Sequence, residues 1–433
     1  MTGGGGSSPP IKARTPLWTL ARRWWPAILL GILTVGSYGF SFYSFGVFLE
    51  PIADDTGWSR GGISFAFAVS SLGGAAGGII AGRVLDARGP RPVFIVSLVF
   101  GSILLFLAGR ADSLFLFVLS WGFGAGAIAA GLFYNVTMAV TSRLYPDARA
   151  LAFTVLTVVG GFASPIFFPL AGLAIDQWGW RDAISLLVVV QVAFVAPALL
   201  FLPKTSSPAA EKPAEEGEHG FASIREALRS RRVLQMTGMF AISGMALAAM
   251  QVHHVAAFQA TGLTVGAAAS IAAIRGLLSL PGRAALAVVQ GRLGTEGATL
   301  LMYFAMVLGT SFLFAAGHIA FVWVFVVVTG LTFGTIIPLQ GLYSAEVFGD
   351  RKLGTLLGVQ QAVLSVAGAA GPLIVGFTAD AADSYRPALI IIAVLQAIAI
   401  LLLLTRPRGK RELAVDLSQV PEAQTVGEPR TPR

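Results

Sequence analysis

Gly82-Arg-Val-Leu-Asp-Ala-Arg-Gly-Pro-Arg91 is a short polar segment set between two apolar runs, 61–81 and 92–108. It holds three arginines and a single acid, Asp86, with Gly82 and Gly89 on either side of that acid. Glycine allows a tight turn and lets two helices approach closely. The segment therefore reads as a basic hairpin joining two antiparallel helices of membrane-spanning length. Asp86 can sit at a helix end and pair with a basic residue.

The same alternation extends along the chain in both directions. Twelve apolar runs separated by short polar loops are expected at 25–49, 61–81, 92–108, 114–140, 150–174, 182–202, 233–258, 266–290, 298–316, 319–343, 354–378 and 387–404. Several exceed the ~20 residues that cross a ~30 Å hydrocarbon core, which implies tilt or extension past it. Charged residues make up only 12% of the 433 positions, about half the ~25% of soluble domains, and mean hydropathy is +0.76. A soluble enzyme is excluded, since too little polar surface exists to cover such a core. With no cysteine, a disulfide-stapled secreted domain is excluded as well.

The net charge of +8 would fit a nucleic-acid partner, but its placement points to topology. Twenty-four of the 30 Lys and Arg residues lie on the side of the loops that also holds both termini. The opposite side holds only Arg60, Arg110, Arg181 and Arg386. The positive-inside rule then places both termini in the cytoplasm of a multi-pass protein of the cell (inner) membrane. No nucleic-acid partner is needed to explain the charge. Residues 1–24 read as a disordered arm, 203–232 as a cytoplasmic linker, and 405–433 as a cytoplasmic tail. Within the linker, Ser223-Ile-Arg-Glu226 has capping-box spacing for a short surface helix.

The linker divides two halves that echo one another. Pro169-Leu-Ala-Gly172 with Asp176 is matched by Pro372-Leu-Ile-Val-Gly376 with Asp380, Arg181 by Arg386, and Asp147 by Asp350, at offsets of 203 to 205. The expected fold is an all-α membrane protein. It has twelve transmembrane helices in two pseudo-symmetric six-helix bundles, 25–202 and 233–404, around a midplane site.

The segment from Gly82 to Arg91 resembles the cytoplasmic signature of the major facilitator superfamily, roughly G-x-L-x-D-R-x-G-R. The resemblance covers about residues 20–405 and makes Gly82, Asp86, Arg88, Gly89 and Arg91 a cytoplasmic gate motif. Within the superfamily, several stretches resemble the monocarboxylate transporter and oxalate–formate antiporter branch. These are Tyr43-Ser-Phe-Gly-Val-Phe-Leu49, Gly57-Trp-Ser-Arg60, Trp178-Gly-Trp-Arg181, Pro281-Gly-Arg283 and Phe348-Gly-Asp350. Members of that branch that move lactate with protons often have a Lys where this chain has Tyr43. They often have an Asp where it has Ser279. Their basic stretch before span 5 is replaced by Arg143-Leu-Tyr-Pro-Asp-Ala-Arg149.

The charges inside the spans carry a prediction about the substrate. All 22 acids fall in loops, tails or span ends, whereas Arg275 and Arg283 lie well inside span 8. A mid-membrane Arg costs at least ~2.5–3.5 kcal/mol and does not escape by losing its proton. A planar guanidinium grips a carboxylate through two parallel hydrogen bonds. A fixed cation without a fixed acid therefore points to an organic anion as ligand. The two arginines are about 12 Å apart along the helix and about 80° around it, so they need not meet the same group. Arg283 also matches the span 8 Arg that contacts the carboxylate in the resembling family. The alternatives are snorkelling or bonding to span carbonyls for Arg283 and a structural hydrogen-bond hub for Arg275.

Other polar side chains concentrate in spans 1, 4, 7 and 10. Tyr38, Tyr43, Tyr134, Asn135, Gln251, His253 and Gln340 are candidates to line the pocket, each with an interhelical hydrogen bond as the alternative. His253 and His254 are the candidates to carry a coupling proton. No third ligand accompanies them, so no metal site is expected. No phosphate-binding Lys-Ser/Thr loop is present, so an ATP-driven pump is disfavoured and no cofactor is implied.

The expected function is a secondary transporter for a small organic anion, most simply a monocarboxylate. It would work by alternating access as a monomer in the lipid bilayer, through proton symport or anion exchange. An exporter of hydrophobic drugs or a secondary metabolite is the alternative. A receptor built on a transporter body is a further class, with no signalling domain in the tails to support it.

Overall fold

The computed structural model describes residues 17–203, 230–314, 319–348 and 353–405. The first part of the N-terminal arm, most of the linker with its Ser223–Glu226 box, Asp350 and nearly all of the tail lie outside the described residues.

The described chain is helical throughout, with no strand among its elements. In order these are α1 (Leu17–Tyr38), a π-helical turn (Gly39–Tyr43), α2 (Phe45–Thr56), α3 (Arg60–Arg88), α4 (Pro90–Ala108), α5 (Leu114–Leu132) and α6 (Tyr134–Leu144). Then come α7 (Arg149–Gly160), α8 (Ala163–Phe201), α9 (Arg231–Gln259), α10 (Val265–Phe314), α11 (Ile319–Phe333), α12 (Ile336–Phe348), α13 (Leu353–Ala382) and α14 (Tyr385–Leu404). Serine opens several of these helices. Ser59, Ser113, Ser230 and Ser384 each accept a backbone N–H from the first turn of α3, α5, α9 and α14, which satisfies donors the helix itself leaves free.

Among the described residues, nine helices are able by length and composition to cross a membrane, or ten if the bent pair α11 and α12 counts as one span. Two of these are very long. Arg149–Phe201 has 53 residues and Val265–Leu313 has 49. At 1.5 Å per residue they would measure about 80 and 74 Å, more than twice the hydrocarbon thickness. Each contains a glycine out of helical geometry, Gly179 (φ 74, ψ 168) and Gly294 (φ 69, ψ 172), a backbone region open essentially to glycine alone. These are the positions where the sequence places the loops between spans 5 and 6 and between spans 8 and 9.

The backbone itself carries the internal repeat. The positive-φ residues of the described chain are Gly57, Gly89, Gly179, Gly262, Gly294 and Asp383. They fall into three pairs, Gly57 with Gly262, Gly89 with Gly294, and Gly179 with Asp383, spaced 205, 205 and 204 residues apart. Equivalent chain reversals therefore occur in equivalent places in the two halves.

The halves meet unevenly. One face, the termini face, carries both ends of the described chain: there Tyr145 bonds the Arg23 carbonyl and Gln235 bonds Thr405. One hydrophobic core runs through the whole first half, from Leu85 and Leu202 to Phe45 and Trp121, and continues into the second half only toward the far face, at Met250, Phe258, Val375 and Tyr385. A second core, built on Met236, Phe240, Met302, Tyr343 and Leu403, lies in the second half alone, toward the termini face. Among the described residues, the hydrogen bonds joining the halves link Ser64 with His253, Tyr385 with Glu50, Asp380 with the start of α3, and Asp176 with the start of α10. All lie toward the far face, so the molecule is closed there.

Helix contacts within a half are set by glycine. A Cβ at Gly282 would overlap the Leu331 carbonyl oxygen of α11, whereas one at Gly291, later in the same helix α10, would meet nothing within 4 Å. Gly282→Ala should cost about 1–3 kcal/mol, as overpacking does. It should lower the thermal midpoint in detergent measured by fluorescence-detected size exclusion, while Gly291→Ala leaves it unchanged.

Candidate functional site

Spans 1, 4, 5 and 10 are each interrupted along their length, span 5 at Gly161 and Phe162 between α7 and α8. Span 1 passes through the π-helical turn Gly39–Tyr43, span 4 through Phe133 in extended geometry (φ −85, ψ 177), and span 10 through Gly334 and Thr335. A break inside hydrocarbon frees backbone groups that need partners. Short hydroxyl side chains supply several of them. Ser44 Oγ donates to the Gly39 carbonyl at 2.9 Å, Ser41 Oγ to Ser37 at 2.6 Å, and Ser37 Oγ crosses to Leu132 at 3.0 Å. Irregular backbone at membrane depth is tolerated where it lines a cavity or is buried in protein.

The breaks bring the sequence candidates together. Tyr38 stacks on Phe133 with centroids 3.7 Å apart and lies 5.0 Å from the Tyr134 ring and 6.4 Å from Tyr43. All three tyrosines are half-buried, and Asn135, at the start of α6, is exposed. Tyr43 lies within electrostatic reach of both Arg275 and Arg283, and Tyr134 within that of Arg283. Gln340 on α12 is half-buried. Tyr43 also contacts Phe168, whose ring meets His254 edge-on.

The two arginines differ in how they are held. Arg275 is 3% exposed. Its Nε donates to Thr329 Oγ1 at 3.0 Å, and its guanidinium lies 4.7 Å from the Phe333 ring centre and 5.6 Å from that of Phe325. A hydroxyl and two ring faces thus compensate part of the cost of burying it. Arg283 is half-buried, its stem beside Gly334 at the span 10 break. Its Nε is enclosed and has no hydrogen-bond partner. Neither arginine is in any of the ion pairs among the described residues.

The span 7 candidates lie in the seam between the halves, His254 within electrostatic reach of Arg275. Gln251 is buried with neither amide atom bonded. His253 Nε2 donates to the Pro372 carbonyl at 2.9 Å and lies 3.4 Å from Ser64 Oγ, while its Nδ1 has no partner. His254 has the opposite tautomer, with Nδ1 donating to Met250 at 2.8 Å and Nε2 unpartnered. Both rings are fully buried in the seam between the halves.

The motif from Gly82 to Arg91 lies on the termini face. Asp86 pairs with Arg143 at the end of α6, and Arg143 also donates to the Leu85 carbonyl at 3.0 Å. Gly89, with φ 78, turns the chain from α3 into α4, and Arg91 reaches the Leu202 carbonyl at 3.4 Å. Gly82 has open space around it, and Arg88 ends α3. This ion pair joins two helices of the same half.

Sequence reasoning did not find the far-face cluster. Glu50 accepts two hydrogen bonds from Arg60, both at 2.8 Å, and one from Tyr385 Oη at 2.6 Å. Asp380 accepts from the Arg60 and Gly61 amides at 2.9 Å each. The signal present was the repeat placing Asp176 and Asp380 in register, but it does not say which helix each acid meets. Thr329 as the partner of Arg275 was likewise hidden, being one of several hydroxyls in an apolar span.

Known proteins share this architecture. The sequence model for the Major Facilitator Superfamily matches residues 31–359 and 257–428. Monocarboxylate transporter 13 of Rattus norvegicus is 26% identical over 367 residues, covering 84% of this chain and 82% of that protein. Multidrug resistance protein MdtL of Escherichia coli is 31% identical over 187 residues, covering 39% of this chain and 44% of that protein. Among solved structures, the nucleoside transporter NupG superposes with a TM-score of 0.76 at 13% identity, covering 90% of this chain and 100% of that one. A bacterial homologue of the lysosomal transporter Spinster, captured inward-facing and unoccupied, superposes with a TM-score of 0.66 at 17% identity, covering 88% and 96%. At these identities the structural likeness concerns the fold alone. The sequence match over most of the chain and the paired halves agree: this chain belongs to the Major Facilitator Superfamily and is a membrane transporter, not an enzyme.

Proposed function

We propose that the protein moves a small organic anion, most simply a monocarboxylate, by alternating access, with Arg283 as the anchor of the anionic group. One observation carries this reading. Arg283 is set where spans 1, 4 and 10 break, has an enclosed Nε without a hydrogen-bond partner, and forms no ion pair among the described residues. A guanidinium so placed is a preorganised receptor for a carboxylate, which offers two oxygens in the matching plane. Tyr38, Tyr43, Tyr134, Asn135 and Gln340 shape the rest of the pocket. Arg275, already held by Thr329 and two rings, adds fixed positive potential behind it. The similarity to monocarboxylate transporter 13 supports the substrate class.

In this reading α7 together with α8, and α10, each make two crossings, joined at Gly179 and Gly294. The chain then crosses the cell membrane twelve times with both termini inside. The distribution of Lys and Arg supports that orientation. Closure at the far face then corresponds to a carrier open toward the cytoplasm. Anion exchange needs no titrating group, whereas proton symport takes its proton on His253, His254 or the substrate itself. The partial similarity to MdtL favours a second reading, an exporter of hydrophobic compounds.

Uptake of labelled monocarboxylates into proteoliposomes tests the anchor. Arg283→Ala should lower kcat/KM by roughly 100-fold, the loss of a charge-assisted bidentate pair, and Arg283→Lys should fall between the two. Undiminished saturable uptake by Arg283→Ala removes the anchor assignment. Drug hypersensitivity of a deletion strain, without any carboxylate uptake, selects the exporter.

Thr329→Val removes the hydroxyl that fixes Arg275 and should raise KM by roughly fivefold, the worth of ~1 kcal/mol for one hydrogen bond, with expression unchanged.

Uptake measured with and without an imposed pH gradient separates the two coupling modes. Stimulation by an inwardly directed proton gradient indicates symport. Dependence on internal anion alone indicates exchange.

A further inference from the structure

The two seams that close the far face are built alike. In the first, α3 begins at Arg60. Ser59 Oγ accepts the Gly62 amide at 3.0 Å, and Asp380 of α13 accepts the Arg60 and Gly61 amides at 2.9 Å each. In the second, α10 begins at Val265. Thr264 Oγ1 accepts the Ala267 amide at 3.3 Å, and Asp176 of α8 accepts the Gly266 amide at 3.0 Å. Each helix start is thus capped once by its own chain neighbour and once by a carboxylate from the other half.

Glycine makes the approach possible in both places. A Cβ on Gly376, one turn before Asp380, would lie 2.8 Å from the Gly61 Cα; one on Gly172, one turn before Asp176, would lie 2.9 Å from the Gly266 Cα. The equivalences follow the internal repeat. Asp176 and Asp380, like Gly172 and Gly376, are 204 apart, while Gly61 and Gly266, like Ser59 and Thr264, are 205 apart.

We infer that Asp176 and Asp380 are a symmetry-related pair of clasps that hold the far face shut, and that release of both is the step that opens the site to that face. Helix starts present unpaired N–H groups and a positive dipole end to a carboxylate. The bonds demand close alignment, so a small rocking of the halves breaks them together. A cavity of about 700 Å³ opens beside both clasps and is lined by Glu50, Asp54, Arg60, Asp176, Asp383 and Tyr385. Water there can take over the freed carboxylates and amides, so the clasps hold without locking. They are unequal. Arg60 lies 3.8 Å from Asp380 and Tyr385 donates to Glu50 across the first seam. Asp176 has no ion pair among the described residues.

Because the chain has no cysteine, one introduced thiol is an unambiguous reporter, and the test needs no substrate. Ala256 lines the same cavity and is 1% exposed; Ala125 is 2% exposed in the core of the first half. Maleimide labelling is measured on Ala256→Cys and Ala125→Cys proteins in nanodiscs, where both faces are accessible. Asp380→Ala should speed labelling at 256 on the order of tenfold, the equivalent of ~1.4 kcal/mol. Asp176→Ala should give a smaller rise, and the double variant a larger one than either. Asp380→Asn keeps an acceptor oxygen and should fall between the parent and Asp380→Ala. Labelling at 125 should not change. Unchanged rates at 256 in the double variant overturn the inference. So do equal rises at 256 and 125, which would mean general loosening.

Discussion

Hydrocarbon solvates neither a charge nor an open backbone amide, and most of this structure follows from that constraint. It pushes the acids to span ends and the basic residues to loops. It requires serine or threonine at helix starts and beside broken turns, where a short hydroxyl can return a lost hydrogen bond. It also explains the treatment of Arg275, which cannot shed its proton and is instead bonded to Thr329 and set between the rings of Phe325 and Phe333. Arg283 is the exception within the same helix. Its charge is held in place by the fold but not answered by it, and that difference between two residues eight positions apart gives span 8 its functional meaning.

Much of the fold was legible in the sequence, because hydropathy and repeat spacing are local or periodic signals. The runs of apolar residues and the offset near 205 pointed to two equivalent halves, and the paired chain reversals at Gly57 and Gly262, Gly89 and Gly294, and Gly179 and Asp383 carry that offset into the backbone. What sequence could not supply was partnership between distant residues. Asp176 and Asp380 were visible as a matched pair, but their meeting with Gly266 and Gly61 depends on how the bundles face one another. The breaks in spans 1, 4 and 10 were also hidden. Gly39, Phe133 and Gly334 are unremarkable in composition, and only the backbone shows the interruptions there.

The site candidates divide along the same line. Tyr38, Tyr43 and Tyr134 come together where spans 1 and 4 are interrupted, the last two within electrostatic reach of Arg283. His253 and His254 lie in the closed seam, each with one ring nitrogen donating to a backbone carbonyl and the other unpartnered. A second proton on either ring would arrive where no acceptor waits. Parting of the halves would expose the seam and both rings with it.

The acidic far-face cavity bears on the same cycle. Glu50, Asp54, Asp176 and Asp383 face it with Arg60 as the cation among its lining residues, a sign that opposes an organic anion. The opposition is small. Glu50 is already bonded to Arg60 and Tyr385. Two unit charges 4 Å apart in water interact by about 1 kcal/mol, and physiological salt screens them beyond ~8 Å. An anion crossing this mouth would therefore meet a shallow barrier and no filter. In the depth of the protein the same Coulomb law acts with little screening, and a single unanswered guanidinium outweighs several solvated carboxylates. Under the proposed transport of an organic anion, selection by charge would belong to the level of Arg283, leaving the far-face acids to serve the proposed opening and closing of the mouth.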